Sequence, residues 1–462
     1  MKNPLFDEFP SASAKQWKQK IQFDLNGNEY KTVQTKTNEG ITIRPFYHQE
    51  ISKQLQIPKS TSDFNICQTI FINNENTALF LAKDALKRGA TAIKFIATKP
   101  FDFKTILKKV IASRKGEEVA LYFDFQFLDR HFILNLTEEV EEENIYLNID
   151  VISNLAKTGN WFHNKEEDFA ITKTIQNSVK SNIAVLGVDV AYYQNSGANI
   201  VQQVAYALSH ANEYLNFVEN EKGEDLEAIK INFSFSVGSN YFFEIAKIRA
   251  FKYVWKLLLK EYDITVDTNI FVEPSSRNKA LYDYNVNMLR TTVEYMSAIL
   301  GGADTINNLA YDSIFHKKNE FGERISRNQM VILKEESSIK NADFSDGSYY
   351  VEELTYDIAE KALIIFKDIE KSGGFTKQLF KETIQRKIEE SAAKEQSQFD
   401  NDEIVLLGIN KYKNKEDTIK DDLELYPFVK IRNMETIIKP IIEKRLSESK
   451  EQDRLMSEAF CQ

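Results

Sequence analysis

Few side chains in this sequence have the types and spacing that catalysis needs. It contains no Gly-x-x-x-x-Gly-Lys-Ser/Thr or Gly-x-Gly-x-x-Gly loop for holding phosphates, and no Gly-x-Ser-x-Gly turn for a nucleophilic serine. It also lacks the His-Glu-x-x-His, Cys-x-x-Cys and His-x-His patterns of metal sites. The five histidines are spread along the chain: His48, His131, His163, His210 and His316. The sequence therefore predicts no nucleotide loop, serine nucleophile or side-chain metal centre of these kinds.

Several isolated residues admit both a chemical and a structural interpretation. Asp189 follows an apolar run, where it could act in catalysis or, equally well, cap the next helix. Gly301 and Gly302 could bring a backbone close to a phosphate, but the sequence favours a helix C-cap there. We expect His210 to be structural and Cys67, within an apolar run, to be a buried thiol. With Cys461 there are only two cysteines, too few for a disulfide framework or a four-cysteine zinc site.

Short apolar or β-branched runs alternate with helix-length segments, and this pattern predicts the elements that position such residues. The eight predicted strands are residues 66–72, 92–97, 119–123, 145–149, 183–188, 229–235, 264–271 and 304–309. Strands that are buried on both faces give continuous apolar runs of this kind. We therefore predict an α/β fold of the (β/α)8 TIM-barrel type, with an open doubly wound sheet as the alternative.

One segment illustrates how the helices are expected to pack. After Ser239, which is a suitable N-cap, apolar side chains between Phe242 and Leu257 recur on one helix face. Lys247 lies off that face. We therefore predict a helix that begins at Ser239 and buries its apolar side, with Lys247 outside the buried face.

Composition divides the chain into three parts. Residues 1–40 are mostly polar and are predicted to form an extended N-terminal arm that wraps a partner. Its aromatic residues include Phe6, Phe9 and Trp17. Residues 41–375 hold the predicted barrel. Residues 376–462 are rich in charge and are predicted to form a helical C-terminal segment.

The charge balance excludes several classes of partner. With 59 Lys and Arg against 69 Asp and Glu the formal charge is −10, so the chain lacks the basic character that binding to nucleic acid or anionic membrane requires. No stretch approaches the roughly 20 uninterrupted apolar residues of a membrane helix, and the N-terminus lacks the apolar segment of a signal peptide. We therefore expect a cytoplasmic protein with no nucleic-acid and no membrane partner.

The middle of the chain carries motifs in a fixed order. They lie at residues 196–198, 202–203, 213–215, 231–255, 283–294, 300–302, 324–328, 347–352 and 370–374. This ordered set resembles the methylmalonyl-CoA mutase family from about Ile183 to Gly374, with weaker similarity from about Phe64 onward. The resemblance implies a (β/α)8 barrel that holds an acyl-CoA, a C-terminal cobalamin-binding domain, and a carbon-skeleton rearrangement by radicals from adenosylcobalamin.

The chain lacks the Asp-x-His-x-x-Gly cobalamin signature of that family. The most similar string starts with Asp129 and His131 but has Leu134 in place of the glycine, and it lies inside the predicted barrel. About 90 residues follow Gly374, too few for a typical further α/β domain plus a linker. We therefore expect no cobalamin-binding domain within residues 376–462 and no corrin held by this chain in the family's way.

The aligned site positions are substituted as well. Tyr192 stands where the family has its substrate-polarising histidine, and Thr69 replaces its active-site tyrosine. Thr158 replaces the arginine that grips the acyl carboxylate, so bidentate binding is lost. The family's loop along the CoA channel aligns with the segment that begins at Asn269 and contains Glu273, which would repel a phosphate. These degenerate positions lead us to expect no catalytic, cofactor-binding or metal-binding residue in this chain.

The chain retains barrel residues of the family, whereas the residues that contact the substrate are substituted. This combination matches the small subunit of bacterial heterodimeric mutases. The resemblance thus implies a non-catalytic partner of a large catalytic methylmalonyl-CoA mutase subunit. That subunit would carry the adenosylcobalamin and convert methylmalonyl-CoA to succinyl-CoA in propionate metabolism. Two alternatives stay open. One is an autonomous acyl-CoA mutase barrel that acts with a separate cobalamin-binding chain on a different acyl-CoA, and the other is a scaffold or loading factor for the mutase.

Overall fold

The computed structural model describes residues 11–53, 55–58, 63–113, 118–139, 144–180, 182–219, 229–337, 339, 345–430 and 434–460. Phe6, Phe9 and Cys461 lie outside the described residues. Within these ranges the chain begins with an arm, continues into a closed barrel of strands and helices, and returns to the barrel with its C-terminal segment.

The arm consists of a short helix and a two-stranded antiparallel hairpin. The bounds are α1 Ala14–Asp24, β1 Thr35–Lys36 and β2 Thr42–Ile43. Ser13 and Gln16 cap α1 reciprocally, each side chain binding the other residue's backbone. No residue of this fully described helix is buried. Among the aromatic rings of the described residues, Trp17 packs only against Phe46, with ring centroids 6.3 Å apart. A helix of 11 residues is marginal by itself in water.

Eight parallel strands close into a barrel in the order β10-β3-β4-β5-β6-β7-β8-β9. Their bounds are β3 Asn65–Phe71, β4 Ala92–Ala97, β5 Ala120–Phe125, β6 Ile145–Ile149, β7 Ile183–Asp189, β8 Lys230–Val237, β9 Asp267–Pro274 and β10 Thr305–Asn307. The last strand pairs with the first, where Ile306 lies beside Ile66. The predicted (β/α)8 TIM barrel is therefore confirmed. The alternative of an open sheet is wrong, because the pairing of β10 with β3 leaves no free edge.

Helices surround the barrel and bury its outer face. Their bounds are α2 Glu75–Lys87, α3 Phe103–Ser113, α4 Arg130–Glu138, α5 Val151–Thr158, α6 Lys165–Ser178, α7 Ala191–Asn195, α8 Ile200–Glu219, α9 Tyr241–Glu261, α10 Val286–Gly301, α11 Glu320–Glu335 and α12 Tyr349–Lys371. Asn74, Asp129 and Asp150 each accept a backbone hydrogen bond at the start of α2, α4 and α5. Short polar side chains after the strands thus fix where these helices begin.

The ends of two helices test the predicted caps. Helix α10 ends at Gly301, and Gly302 follows with a left-handed φ of 86°, so the predicted C-cap is confirmed. The predicted N-cap of α9 at Ser239 is wrong. Asn240 occupies that position without a side-chain cap, and the Ser239 hydroxyl instead accepts a hydrogen bond from Asn278 at 2.6 Å.

Lys247 on α9 is fully buried, contrary to the prediction that it lies off the buried face. Its ammonium pairs with Glu244 and donates to Gln194, Gln203 and the Ser236 carbonyl at 2.8, 2.9 and 2.5 Å. Burial lowers the pKa of Lys247, and Glu244 opposes that shift. Glu244 lies on α9 itself, but the other three partners come from α7, α8 and β8, so the periodicity of α9 alone does not reveal them.

The C-terminal segment has helices at its two ends and an irregular middle. The bounds are α13 Phe375–Phe380, α14 Thr383–Asp400 and α15 Glu448–Phe460. Among the described residues between 401 and 447, the helical structure is a single turn, Lys420–Asp422, and Pro427 and Pro440 oppose longer helices there. The backbone bonds to the barrel instead, for example from Ile441 to the Ala156 carbonyl at 2.8 Å. The segment predicted to be helical is thus helical in its first and last parts.

Candidate functional site

Each strand of the barrel contributes a polar side chain to one opening at the carboxyl ends of the strands. In order from β3 to β10 these are Thr69, Lys94, Asp124, Asn148, Asp189, Ser234, Glu273 and Asn307. They line two adjoining cavities of about 370 and 420 Å³, which share Lys94, Asp124, Lys157 and Asp189. We call this region the mouth. Barrels of this type place ligands at this end, so the mouth is the candidate site.

Two lysines in the mouth lie beside carboxylates. Lys94 Nζ lies 3.7 Å from the Glu273 carboxylate, and Lys157 on α5 forms an ion pair with Asp189. Burial by itself would lower the pKa of both lysines, but the surrounding carboxylates outweigh it and raise both pKa values. Both ammonium groups therefore stay protonated at neutral pH. They can bind an anion but cannot act as a base or nucleophile.

Two further charged residues reach the mouth from outside the strands. Lys318 Nζ donates to the Thr69 carbonyl. Glu443, in the C-terminal segment, accepts a hydrogen bond from Asn195 at 3.0 Å, and burial raises its pKa. In the lining of both cavities the carboxylates outnumber the lysines. The mouth therefore has no net positive charge to attract a highly charged anion.

Aromatic rings fill the barrel axis below the mouth. Tyr122 stacks on Tyr146 with ring centroids 4.3 Å apart and an interplanar angle of 6°, and Phe271 lies 4.7 Å from the Tyr122 ring. The Tyr122 hydroxyl is hydrogen-bonded to the Thr305 hydroxyl at 2.7 Å. Tyr122 and Phe271 are buried. A ligand in the mouth therefore meets a floor of packed rings.

Comparison of this sequence with protein families and with known proteins assigns the barrel to a family. The profile of the family described as methylmalonyl-CoA mutase matches residues 140–455, more than half of the chain, including β6 to β10. The chain belongs to the methylmalonyl-CoA mutase family. It is similar to the methylmalonyl-CoA mutase small subunit of Porphyromonas gingivalis, with 29% identity over 457 residues, which cover 92% of this chain and 73% of that protein.

Other members of the mutase family match a smaller part of the chain. The large subunit from Porphyromonas gingivalis is 32% identical over 261 residues, covering 54% of this chain and 36% of that protein. The methylmalonyl-CoA mutase of Cereibacter sphaeroides is 36% identical over 238 residues, covering 50% of this chain and 33% of that protein. The matched part thus spans about a third of each of these two longer proteins.

Three of the four positions aligned with the mutase site lie in the mouth. Thr69 and Tyr192 line the same cavity, and Thr158 lines the adjoining one. Tyr192 is buried, with Lys157 Nζ 5.0 Å from the centre of its ring. The Thr158 hydroxyl donates to the backbone carbonyl of Asn154 at 2.8 Å. The structure therefore brings these three together, with the hydroxyl of Thr158 bound to the backbone of its own helix and of Asn160 just beyond it.

Asn269, the fourth position, lies below the mouth. Its amide donates to Asn232 Oδ1 at 2.6 Å and to the Tyr122 hydroxyl at 3.2 Å, which places it among the rings that fill the axis. Glu273, four residues further along β9, lines the mouth. This strand therefore supplies a carboxylate to the site.

The residues with two interpretations take up structural roles. One oxygen of Asp189 accepts a hydrogen bond from Ala191 at the start of α7, at 3.0 Å, and the other pairs with Lys157 in the mouth. His210 is buried with its Nε2 2.9 Å from Asp150. Burial also raises the pKa of the Cys67 thiol well above its ordinary value.

The string at residues 129–134 does not fit the corrin of the family's cofactor, adenosylcobalamin. Asp129 is the N-cap of α4 and accepts a hydrogen bond from Phe132 at 3.0 Å. His131 and Leu134 lie on that helix, so the string is the start of a barrel helix. In the ranges that the structure describes, no three His, Cys, Asp or Glu side chains are grouped to hold a metal ion. No helix in those ranges combines the length and apolar character needed to span a membrane.

Sequence reasoning did not identify Lys94, Asp124 and Lys157. Lys94 is the charged residue of the otherwise apolar β4, and Asp124 is the charged residue of the otherwise apolar β5. A charge inside a strand that is buried on both faces needs partners in the barrel interior, and that signal could have found both. Lys157 offers no such signal, because its partner Asp189 lies 32 positions away on another element.

Proposed function

We propose that this chain is a non-catalytic small subunit of an adenosylcobalamin-dependent methylmalonyl-CoA mutase. In this proposal it forms a heterodimer with a large catalytic subunit in the cytoplasm, and that subunit binds the adenosylcobalamin and the acyl-CoA. The small subunit stabilises its partner in the isomerisation of methylmalonyl-CoA to succinyl-CoA, a step of propionate metabolism. The observation that carries the proposal is that the barrel axis below the mouth is filled by the chain's own aromatic side chains.

The chemistry available in the mouth argues against turnover. Activation of a thioester needs a donor aimed at the carbonyl oxygen. At the position aligned with the family's tyrosine, the Thr69 hydroxyl donates its hydrogen bond to Asn307 at 2.9 Å. At the position aligned with the family's histidine, Tyr192 is buried beside Lys157. The Tyr122 stack closes the axis beneath them. These features support a structural rather than a catalytic role.

The N-terminal arm supports a protein partner. Helix α1 buries none of its residues, and its Trp17 and Phe23 are 50% and 77% exposed. Exposed aromatic side chains on a marginal helix are stabilised when a second protein surface covers them. The Porphyromonas gingivalis relatives are named small and large subunit, and we propose the same pairing here.

Isolation of the tagged chain from its native host under mild salt tests the pairing. We expect a 1:1 partner that contains the histidine, arginine and Asp-x-His-x-x-Gly motifs which this chain lacks. Purified alone, the chain should form no succinyl-CoA when it is given adenosylcobalamin and a separate cobalamin-binding chain, whereas the pair should. Succinyl-CoA formation without the large partner would refute the non-catalytic role and favour the autonomous barrel.

A further inference from the structure

Lys94 and Asp124 face the mouth with unused hydrogen-bonding capacity. The carboxylate paired with Lys94 is 3.7 Å from its Nζ, beyond hydrogen-bond distance, and no described residue accepts a hydrogen bond from this ammonium. Asp124 likewise accepts no hydrogen bond from a residue that the structure describes. Both side chains line both cavities. An ammonium offers three donors and a carboxylate two acceptor oxygens, so both groups are free to bind a ligand.

Among the described residues, the two lysines that are buried, Lys247 and Lys279, are fully hydrogen-bonded. The ammonium of Lys279 donates to Ser275, Asn278 and Glu294 at 2.8 to 2.9 Å, and Lys247 has four partners of this kind. The side chain of Lys94 is only 16% exposed, yet it ends at a cavity. A charge withdrawn from water without such bonds costs free energy. Lys94 therefore differs from Lys247 and Lys279, whose ammonium groups are fully bonded.

One wall of the mouth is apolar. Phe125, Phe127, Leu128 and Phe162 line the cavity of about 370 Å³ that also contains Lys94 and Asp124. The rings of Phe125 and Phe127 pack with centroids 5.4 Å apart, so this wall is built rather than loosely exposed. Ligand sites commonly combine apolar walls with a few converging polar groups. The mouth has that composition.

We propose that the mouth binds a free α-amino acid with an apolar side chain. The ligand carboxylate accepts hydrogen bonds from Lys94, its ammonium donates to Asp124, and its side chain lies against the Phe125 wall. A zwitterion suits a lining in which carboxylates outnumber lysines, whereas a dianion would be repelled. The proposal concerns binding alone and includes no covalent step. It goes beyond the proposed function, since neither Lys94 nor Asp124 belongs to the positions aligned with the mutase site.

Calorimetric titration of the full chain tests this site. The probes are L-leucine, L-isoleucine and L-phenylalanine, together with 4-methylpentanoate, which lacks the amine, isopentylamine, which lacks the carboxylate, and succinate as a dianion. We expect at least one amino acid to bind 1:1 and the other three probes to bind at least about tenfold more weakly, because each loses or misplaces a charged partner.

Variants connect the binding to the two side chains. Lys94→Met and Asp124→Asn should each weaken the amino acid at least about tenfold. Lys108→Met and Asp402→Asn, at side chains that are each 70% exposed, should leave the affinity unchanged. Thermal unfolding of each variant establishes that it is folded. Saturation-transfer NMR on the unmodified chain should show the ligand's apolar side chain in contact with aromatic protons, and this readout does not depend on any variant.

Three outcomes would overturn the proposal. The first is that none of the three amino acids binds to the unmodified chain. The second is that folded Lys94→Met and Asp124→Asn bind the amino acid as the unmodified chain does. The third is that 4-methylpentanoate or succinate binds more tightly than every amino acid. Because all measurements use this chain without a partner, they can fail while the proposed pairing with a large subunit stands.

Discussion

At the scale of single residues, Asp150, which follows β6 and lines the cavity of about 370 Å³, organises one side of the mouth. Its carboxylate accepts hydrogen bonds from the amide and hydroxyl of Ser153 at 2.9 and 2.6 Å. It also accepts them from the Asp189 amide, His210 and Tyr214 at 2.8 to 2.9 Å. Burial alone would raise its pKa, but His210 and these hydrogen bonds outweigh it and lower the pKa to about 2. The carboxylate therefore stays charged in the folded chain at acid pH.

This lowered pKa makes stability depend on pH in a defined direction. Because the folded pKa lies below the unfolded value of about 3.9, the stabilisation is present above that value and is lost as the pH falls toward 2. We expect Asp150→Asn to lower the free energy of unfolding at neutral pH by about 3 kcal/mol. The difference in this free energy between the variant and wild type should become smaller below about pH 4. Denaturant titrations across this range measure both.

Asp24→Asn, at an exposed carboxylate, is the matched control and should change stability little. A difference between Asp150→Asn and wild type that stays constant down to pH 3 would show that the charge of Asp150 is not its source.

How well a residue could be predicted from sequence depends on where its partners lie. The burial of Cys67 and the cap at Gly302 follow from neighbours within a few positions, and both could be predicted. Lys247 is buried by partners on three other elements, and Glu443 reaches the mouth from the far end of the chain. Local periodicity carries no information about such contacts, so the charged lining of the mouth could not be derived from it.

At the scale of elements, the apolar runs located all eight barrel strands because a strand that is buried on both faces needs little polar alternation. The bounds of β4 and β6 agree with the predicted ones residue for residue. Strand β9 begins at Asp267, three positions later than predicted. The apolar Ile264 belongs instead to the turn that ends α9, where its amide binds the Leu259 carbonyl at 3.1 Å.

Helix α1 is the element whose stability we expect to depend on a partner. Deleting residues 1–30 should weaken the pairing with the large subunit at least about tenfold, or 1.4 kcal/mol, since the deletion removes Trp17 and Phe23. The melting temperature of the chain alone should change little, because α1 buries none of its residues. Surface plasmon resonance and calorimetry measure the two quantities.

The double substitution of Trp17 and Phe23 by alanine is the milder test of the same element. It keeps the chain length and should lose most of the same affinity. An unchanged dissociation constant in both variants would exclude a wrapping role for the arm.

At the scale of the whole molecule, the C-terminal segment is part of the barrel domain. Its backbone amides at Ile437, Ile441 and Lys444 bind the carbonyls of Gly159, Ala156 and Asn195 at 2.9, 2.8 and 3.1 Å. Ile438 and Ile441 belong to the same apolar cluster as the strands. The irregular middle of this segment has no periodic pattern, which is why its path over the carboxyl end of the barrel could not be predicted while the barrel could.

We therefore expect the full chain to unfold in a single cooperative transition. Truncation after residue 400 should lower the melting temperature by more than about 5 °C, because it exposes the apolar surface that Ile438 and Ile441 cover and leaves carbonyls of α5 and α7 unpaired. Differential scanning calorimetry measures this. The deletion of residues 1–30 is the control, because it also removes a terminal segment. If both truncated chains showed an equally small shift in melting temperature, the stabilising role of the C-terminal segment would be contradicted.

The position of Trp17 has a spectroscopic consequence. The chain has three tryptophans, and the other two are less exposed than Trp17: Trp255 is buried and donates to Thr268 at 2.9 Å, and Trp161 is partly buried and packs on Phe169 with centroids 6.0 Å apart. The water-facing indole of Trp17 therefore emits at longer wavelength and is open to iodide quenching. Covering the arm shifts that emission to the blue and shields it, so intrinsic fluorescence reports the docking of a partner without any attached label.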